Sequence, residues 1–331
     1  MRPFRVFVVL AALALAGCAS TPPAPAKLRV NVFPGASNLP LFAAIDRGFL
    51  ARQNIQIEII NTPNSTLQRA GLAKGDFEIA QAAVDNAVAM VEVATADTII
   101  VAGGDGSMNE FMVRPEIKSF ADIRGKTLVV DAPNTAYALV ARKILKSNGL
   151  ADGRDYKLDP VGGTPLRIRA MAEKTDNVAG MLNPPFSFGA KDKGLKSFGR
   201  AVDLIGAYQG GGFFALRSWA AKNGPLLERF LAAYIVATRL ALDPANRAQS
   251  IELIATRLKQ TTALATRTYD EALLQPRFGL VPDARLDLAG LKTVLALRAE
   301  LQGQWGGKEP PAERYIDLGY YERALKSVAG R

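Results

Sequence analysis

Any chemistry in this chain must be done without imidazole and almost without thiol. The 331 residues include no histidine and one cysteine, Cys18. That composition excludes a Ser-His-Asp triad, a histidine metal ligand and an imidazole general base. It also excludes an intrachain disulfide and a thiolate zinc site. Hydroxyls, amides and carboxylates remain, and their placement points to non-covalent capture of a small molecule. Ser37 and Asn38 follow a strand-like run, as do Asn64 and Ser65, and then Gln81 and Asp85. Farther on, Asn134 and Thr135, Gly163 and Thr164, and Asn183 each follow another such run. Tyr208 and Gln209 stand just before a glycine cluster, where a side chain could reach a closed cleft.

The rule that selects these positions is physical. In open α/β sheets, ligands bind outside the carboxyl ends of the strands, beside helix N-termini. Free N–H groups there donate to a bound polar group, and the helix dipole favours negative charge. Each position has a plain alternative as a helix cap or turn residue. Capping alone accounts for Ser65 and Thr164. Asn38, Asn134 and Asn183 suit either role, and Asp85 could cap its own helix or accept hydrogen bonds from a solute. Tyr137, Phe186 and Tyr208 could offer flat apolar contact or simply pack in the core.

The elements that must hold these residues alternate between strand and helix. Residues 28–33, 55–60, 77–82 and 98–101 read as strands. Between them, Leu39–Gln53 reads as one helix, with Leu41, Phe42, Ile45 and Phe49 on one face. Ser65 starts another helix, with Gln68 three residues on as in a capping box. A short helix covers Val84–Val93. Gly103-Gly104-Asp105-Gly106 breaks the pattern, and a second series follows. Its strands are expected at 127–130, 156–161 and 178–182, and its main helix at Asn134–Ser147, ended by Asn148-Gly149. Thr164 before Pro165 reads as an N-cap with proline at the first helical position. Gly210-Gly211-Gly212 precedes a strand at 213–216, and beyond Trp219 the chain is nearly all helical. The expected fold is α/β, with two lobes built on mostly parallel sheets flanked by helices, plus a C-terminal helical region. One lobe would comprise 28–105 and 213–331, and the other 110–207. The segments 103–110 and 207–213 would be hinge crossovers.

The amino terminus addresses the compartment. Arg2 and Arg5 precede the apolar run Val6–Ala16, then Gly17 and Cys18. A bilayer span needs about 20 apolar residues, so this run fits a secretory signal over residues 1–17. Leu15-Ala16-Gly17-Cys18 looks like the lipobox of bacterial lipoproteins, in which the cysteine carries the lipid. Small and proline-rich residues after it make 18–27 a flexible tether. The formal net charge is +10, with 41 basic and 31 acidic residues. The basic residues are dispersed, which together with export speaks against nucleic acid as a partner.

Three stretches resemble one family. They are PGASNLPLFAAIDRGFLARQNIQIEI from Pro34, NSTLQRAGLAKGDFEIAQAAVDNAV from Asn64, and IRGKTLVVDAPNTAYALVARKIL from Ile123. The second contains Ala73-Lys74-Gly75-Asp76-Phe77-Glu78-Ile79-Ala80. Together they resemble the solute-binding proteins of ABC transporters, in the subgroup of sulfonate, nitrate, taurine and thiamine-pyrimidine-precursor binders. The resemblance weakens after about residue 245. It implies a periplasmic-binding-protein type II fold and a separate permease and ATPase as partners; a monomer with no cofactor and no catalysis is expected. With the lipobox-like Cys18, the expectation is a membrane-anchored receptor that takes one of those solute classes. The same subgroup includes thiamine-pyrimidine synthases, which rely on an active-site histidine and a cysteine-rich segment that this chain lacks. A receptor that signals to a membrane sensor is the third reading.

Overall fold

The computed structural model describes residues 24–329. The expected signal segment and Cys18 lie outside the described residues. Strands β1 (Ala26–Val32), β2 (Ile55–Asn61), β3 (Ile79–Ala83) and β4 (Thr98–Gly103) come first. They are followed by β5 (Glu110–Val113), β6 (Thr127–Val130), β7 (Lys157–Pro160), β8 (Asn177–Leu182) and β9 (Lys196–Arg200), and last by β10 (Gly211–Leu216). They form two five-stranded sheets, ordered β2-β1-β3-β10-β4 and β7-β6-β8-β5-β9. The result is a two-lobed α/β fold in which the chain passes between sheets before β5 and again before β10. β1 already pairs with β2 at Ala26 and Lys27, so the end of the expected tether is sheet.

The sheets are mixed, which corrects the expectation of mostly parallel strands. β1 runs parallel to β2 and β3, and β6 runs parallel to β7 and β8. β10 lies antiparallel between β3 and β4, and β5 lies antiparallel between β8 and β9. The reversed strands are those that arrive from the other sheet. No β-α-β connection within the sheet forces them to run parallel. β5 and β9 were not anticipated. Each has four or five residues, and neither EFMV nor KSFGR shows a clear alternation.

Local signals explain most of the remaining boundaries. Gly48 (φ 66) splits the expected 39–53 helix into Leu39–Asp46 and Phe49–Arg52. Asn64, one residue before the expected cap, accepts from the Leu67 N–H at 2.8 Å and starts the Ser65–Lys74 helix. The capping box does not form, because Gln68 is buried and donates to Asn31 Oδ1 at 2.8 Å. Gly163 caps the Thr164–Glu173 helix, so Thr164 is its first residue. Helices dominate after β10, notably Gly224–Leu242, Arg247–Leu258 and Leu288–Gln302. The first of these covers the first sheet, and Phe213 meets Phe230 and Tyr234 edge to face at 5.4 and 4.6 Å. Among the described residues, no helix is long and apolar enough to cross a membrane.

The two glycine clusters serve close packing. None of their residues adopts the left-handed region. A Cβ at Gly103 would overlap the Arg285 carbonyl, and one at Gly211 would overlap the Asp105 carboxylate. Glycine is required here because backbone and side chain must approach where the crossovers meet.

Candidate ligand-binding site

The strand ends of both sheets face one cavity of about 110 Å³. That volume holds several waters or one small organic solute. The two lobes touch around it. The Gly163 N–H donates to the Pro63 carbonyl at 2.8 Å, and the Ala36 N–H donates to the Pro184 carbonyl at 3.2 Å. The Ser65 N–H donates to both oxygens of Asp131, at 3.2 and 3.1 Å, and Arg69 donates to Asn134 Oδ1 at 3.2 Å. The cleft is therefore in a closed arrangement.

Eight of the thirteen expected contact positions line this cavity: Ser37, Asn38, Ser65, Gln81, Thr135, Gly163, Thr164 and Asn183. The strand-end rule placed them there. The other five are engaged elsewhere. Asn64 caps its helix. Asn134 receives Arg69 on its side chain and Arg298 on its carbonyl, the latter at 3.1 Å. Tyr208 is buried against Tyr137, with ring centroids 6.1 Å apart. Gln209 donates to the carbonyls of Asp105 (3.2 Å) and Gly211 (2.7 Å) and accepts from the Asp287 N–H at 2.7 Å. It thus braces both crossovers against the start of the Leu288–Gln302 helix.

Asp85 is the main correction. Its carboxylate lies outside the cavity wall and forms a two-pronged ion pair with Arg298, at 2.6 and 2.8 Å. The two side chains are 1 % and 0 % exposed. Burial lowers the pKa of the Arg298 guanidinium, but Asp85 outweighs it and the net shift is upward. A carboxylate paired so fully has little capacity left for a solute.

The helix N-terminus expected to receive an anion is also occupied. Asn64 and Asp131 take the first donors of the Ser65–Lys74 helix, and Asp131 comes from the opposite lobe. A protein carboxylate thus holds the place that favourable dipole geometry would offer to a bound anion.

Several wall residues were not anticipated, among them Asn86, Asp105, Asn109, Asp131 and Arg167. Asp131 ends the run Thr127–Val130, so the strand-end rule could have chosen it as readily as Asn134. Asp105 lay hidden inside the first glycine cluster. Arg167 Nη1 donates to the Gly162 carbonyl at 2.9 Å and Nη2 to Thr164 Oγ at 2.8 Å. The Thr164 hydroxyl in turn donates to Asn183 Oδ1. Arg167 Nε has no partner among the described residues. Burial lowers the pKa of Arg167, and nearby Asp131 works against that.

The open hydrogen-bonding capacity of the wall consists mainly of acceptors. Gln81 Nε2 donates to the Ser37 carbonyl at 3.2 Å, which fixes its amide and leaves Oε1 unpartnered. Asn86 Nδ2 donates to Ser65 Oγ and Gln68 Oε1, at 3.1 and 3.2 Å, and leaves Oδ1 unpartnered. Buried polar atoms are nearly always paired, so such atoms beside a cavity mark where a solute or water donates.

A family model described as NMT1/THI5 like matches residues 36–248. The chain belongs to the NMT1/THI5-like family. Its fold is shared by solved solute-binding proteins. The ligand-binding component of an ABC-type import system from Staphylococcus aureus, solved with zinc bound, is 13 % identical with a TM-score of 0.73, over 90 % of this chain and 99 % of that one. The periplasmic nitrate-binding protein of Synechocystis PCC 6803 is 12 % identical with a TM-score of 0.74, over 92 % and 89 %. The periplasmic aliphatic sulphonate binding protein of Escherichia coli is 18 % identical with a TM-score of 0.67, over 88 % and 92 %. Among curated proteins, no sequence matches this NMT1/THI5-like chain.

Proposed function

We propose that this chain is the extracytoplasmic receptor of an ABC importer and binds a small organic solute in the cavity between its lobes. The observation that carries this reading is the cavity between the lobes, walled by strand ends of two sheets that two crossovers connect. A solute that bridges both walls stabilises the closed form through contacts it makes better there. The same architecture occurs in the import-system component of S. aureus, and the family match adds to the case. The wall offers amides, hydroxyls and carboxylates, and the chain has no histidine to act as a general base. This supports binding over catalysis.

The finer reading is a nitrogen-bearing, pyrimidine-like solute ahead of a sulfonate, nitrate or taurine. Unpartnered acceptors at Gln81 and Asn86 support it, as does the occupied helix N-terminus. Lipid attachment at Cys18, a membrane-anchored periplasmic location, a monomeric state and delivery to a separate permease and ATPase complete the proposal. Nucleic acid has no part in it. Mass spectrometry of small molecules released from the purified mature chain tests the receptor role. A stoichiometric organic solute is the expected result. A chain that carries none, and that no small molecule stabilises, would remove the reading.

A further inference from the structure

Three carboxylates are buried near the lobe junction and a fourth, Asp131, is half-buried there; all but one of the four have a cationic neighbour. Asp85 pairs with Arg298, Glu110 with Lys191 at 2.6 Å, and Asp131 lies near Arg167. Asp105 has none. It is 6 % exposed, lines the cavity, and is held by backbone donors, including the Ser107 N–H at 2.9 Å. The influences on it are burial and the N–H groups of Ser107, Gly211 and Met108, with no cation among them. Those donors orient the carboxylate without neutralising it. A buried charge in that state calls for a counter-charge or a strong donor.

We propose that Asp105 is the specificity-determining residue of this cleft, taking a protonated or N–H-bearing nitrogen of the solute and discriminating against anions. The proposal rests on the receptor role above and adds the residue that chooses the solute. Asp105 belongs to the first crossover, and its carboxylate lies against Gly210 and Gly211 of the second. The contact with the solute is therefore made where the lobes pivot. A nitrogen at Asp105 would also find Gln81 Oε1 and Asn86 Oδ1 among the wall's free acceptors. An anion would meet two carboxylates and these acceptors, with Arg167 as the one cation in the wall among the described residues. Like charges brought together in a desolvated cavity disfavour the complex.

The titration of Asp105 gives this assignment a signature. Burial raises its pKa to about 6, against the opposing pull of its backbone donors. The titratable groups facing it are Tyr137, on the Ala136–Ser147 helix, and Tyr234, on the Gly224–Leu242 helix. Burial raises both phenols, with Asp105 adding to it. Affinity for a cationic solute should therefore fall as pH drops through about 6, by roughly tenfold per pH unit below it.

The test is calorimetric titration of the mature chain with two probe sets, aminopyrimidines and small primary amines against alkyl sulfonates and nitrate. Nitrogen compounds should bind. Asp105→Asn should weaken them at least tenfold and flatten the dependence between pH 5 and 7. Gln81→Ala keeps the carboxylate, so it should weaken binding while retaining that pH profile. Tight sulfonate or nitrate binding would overturn the assignment and leave the receptor role standing. Nitrogen compounds that bind Asp105→Asn as well as wild type would do the same, as would a wild-type profile that is flat through pH 6. If neither probe set binds, the assignment fails, and the mass spectrometry above decides the receptor role separately.

Discussion

Replacing Asp85 by asparagine leaves Arg298 charged, 0 % exposed and without its carboxylate. Breaking one side of a fully buried ion pair costs about 3–5 kcal/mol, because the remaining charge is neither solvated nor paired. The loss here has two further routes. Arg298 also holds the Asn134 carbonyl at 3.1 Å, and Glu300 on the same helix pairs with Lys143 and Lys146 of the other lobe at 2.6 and 2.8 Å. The Leu288–Gln302 helix thus touches both lobes, and a loosened Arg298 should weaken the closed arrangement as well as the fold. The assay is urea unfolding followed by circular dichroism, with calorimetric titration of the same samples. Asp85→Asn should lose several kcal/mol yet keep the wild-type order of solute preference, since Asp85 does not line the cavity. A double variant, Asp85→Leu with Arg298→Met, should recover most of the loss, as apolar replacements of buried pairs commonly do. A stability change under about 1 kcal/mol would refute the buried-pair argument. Altered solute selectivity in a fully stable Asp85→Asn would return Asp85 to the site.

Other expectations follow from the same geometry. Small-angle scattering should show compaction on solute binding as residues 110–207 close on residues 28–105 and 213–331, and an unchanged radius of gyration at saturation would remove the hinge. Gly211→Ala forces the Asp105 carboxylate aside and should cost about 1–3 kcal/mol of stability together with solute affinity, as overpacking does; unaltered binding would show that the carboxylate position is not critical. Asp105 has a raised pKa, so its contribution to stability is fully present below about 4 and lost as pH rises through about 6, up to about 3 kcal/mol. The stability difference between wild type and Asp105→Asn, measured by urea unfolding at pH 4 and 7, should shift in that sense; no shift would contradict the burial of a titrating carboxylate. Cys18→Ser should accumulate as uncleaved precursor or be mislocalised, and normal processing would exclude lipid attachment there.

Much of the architecture was legible because its signals are local. Strand and helix periods, the Asn148-Gly149 stop and the two glycine clusters each depend on residues close together in the chain. The strand-end rule found Ser37, Asn38, Gln81, Thr135 and Asn183 in the cavity wall for the same reason, since a strand's end fixes where the next residues point. The antiparallel insertion of β5 and β10 was not legible, because pairing direction depends on which sheet a strand reaches.

By itself the sequence determined the chemical limits of this protein: no imidazole, one thiol, and a supply of amides, hydroxyls and carboxylates in an α/β frame. The tertiary structure decided which of those groups stay free. Asp85 and Asp105 look alike in the sequence as acidic residues near strand ends. One meets an arginine 213 positions away and is neutralised. The other is held by backbone N–H groups at a crossover and lines the cavity. A side chain's type states which bonds it can form. Which partner comes within 3 Å is set by long-range packing, and in a desolvated interior that proximity separates a structural ion pair from a binding residue.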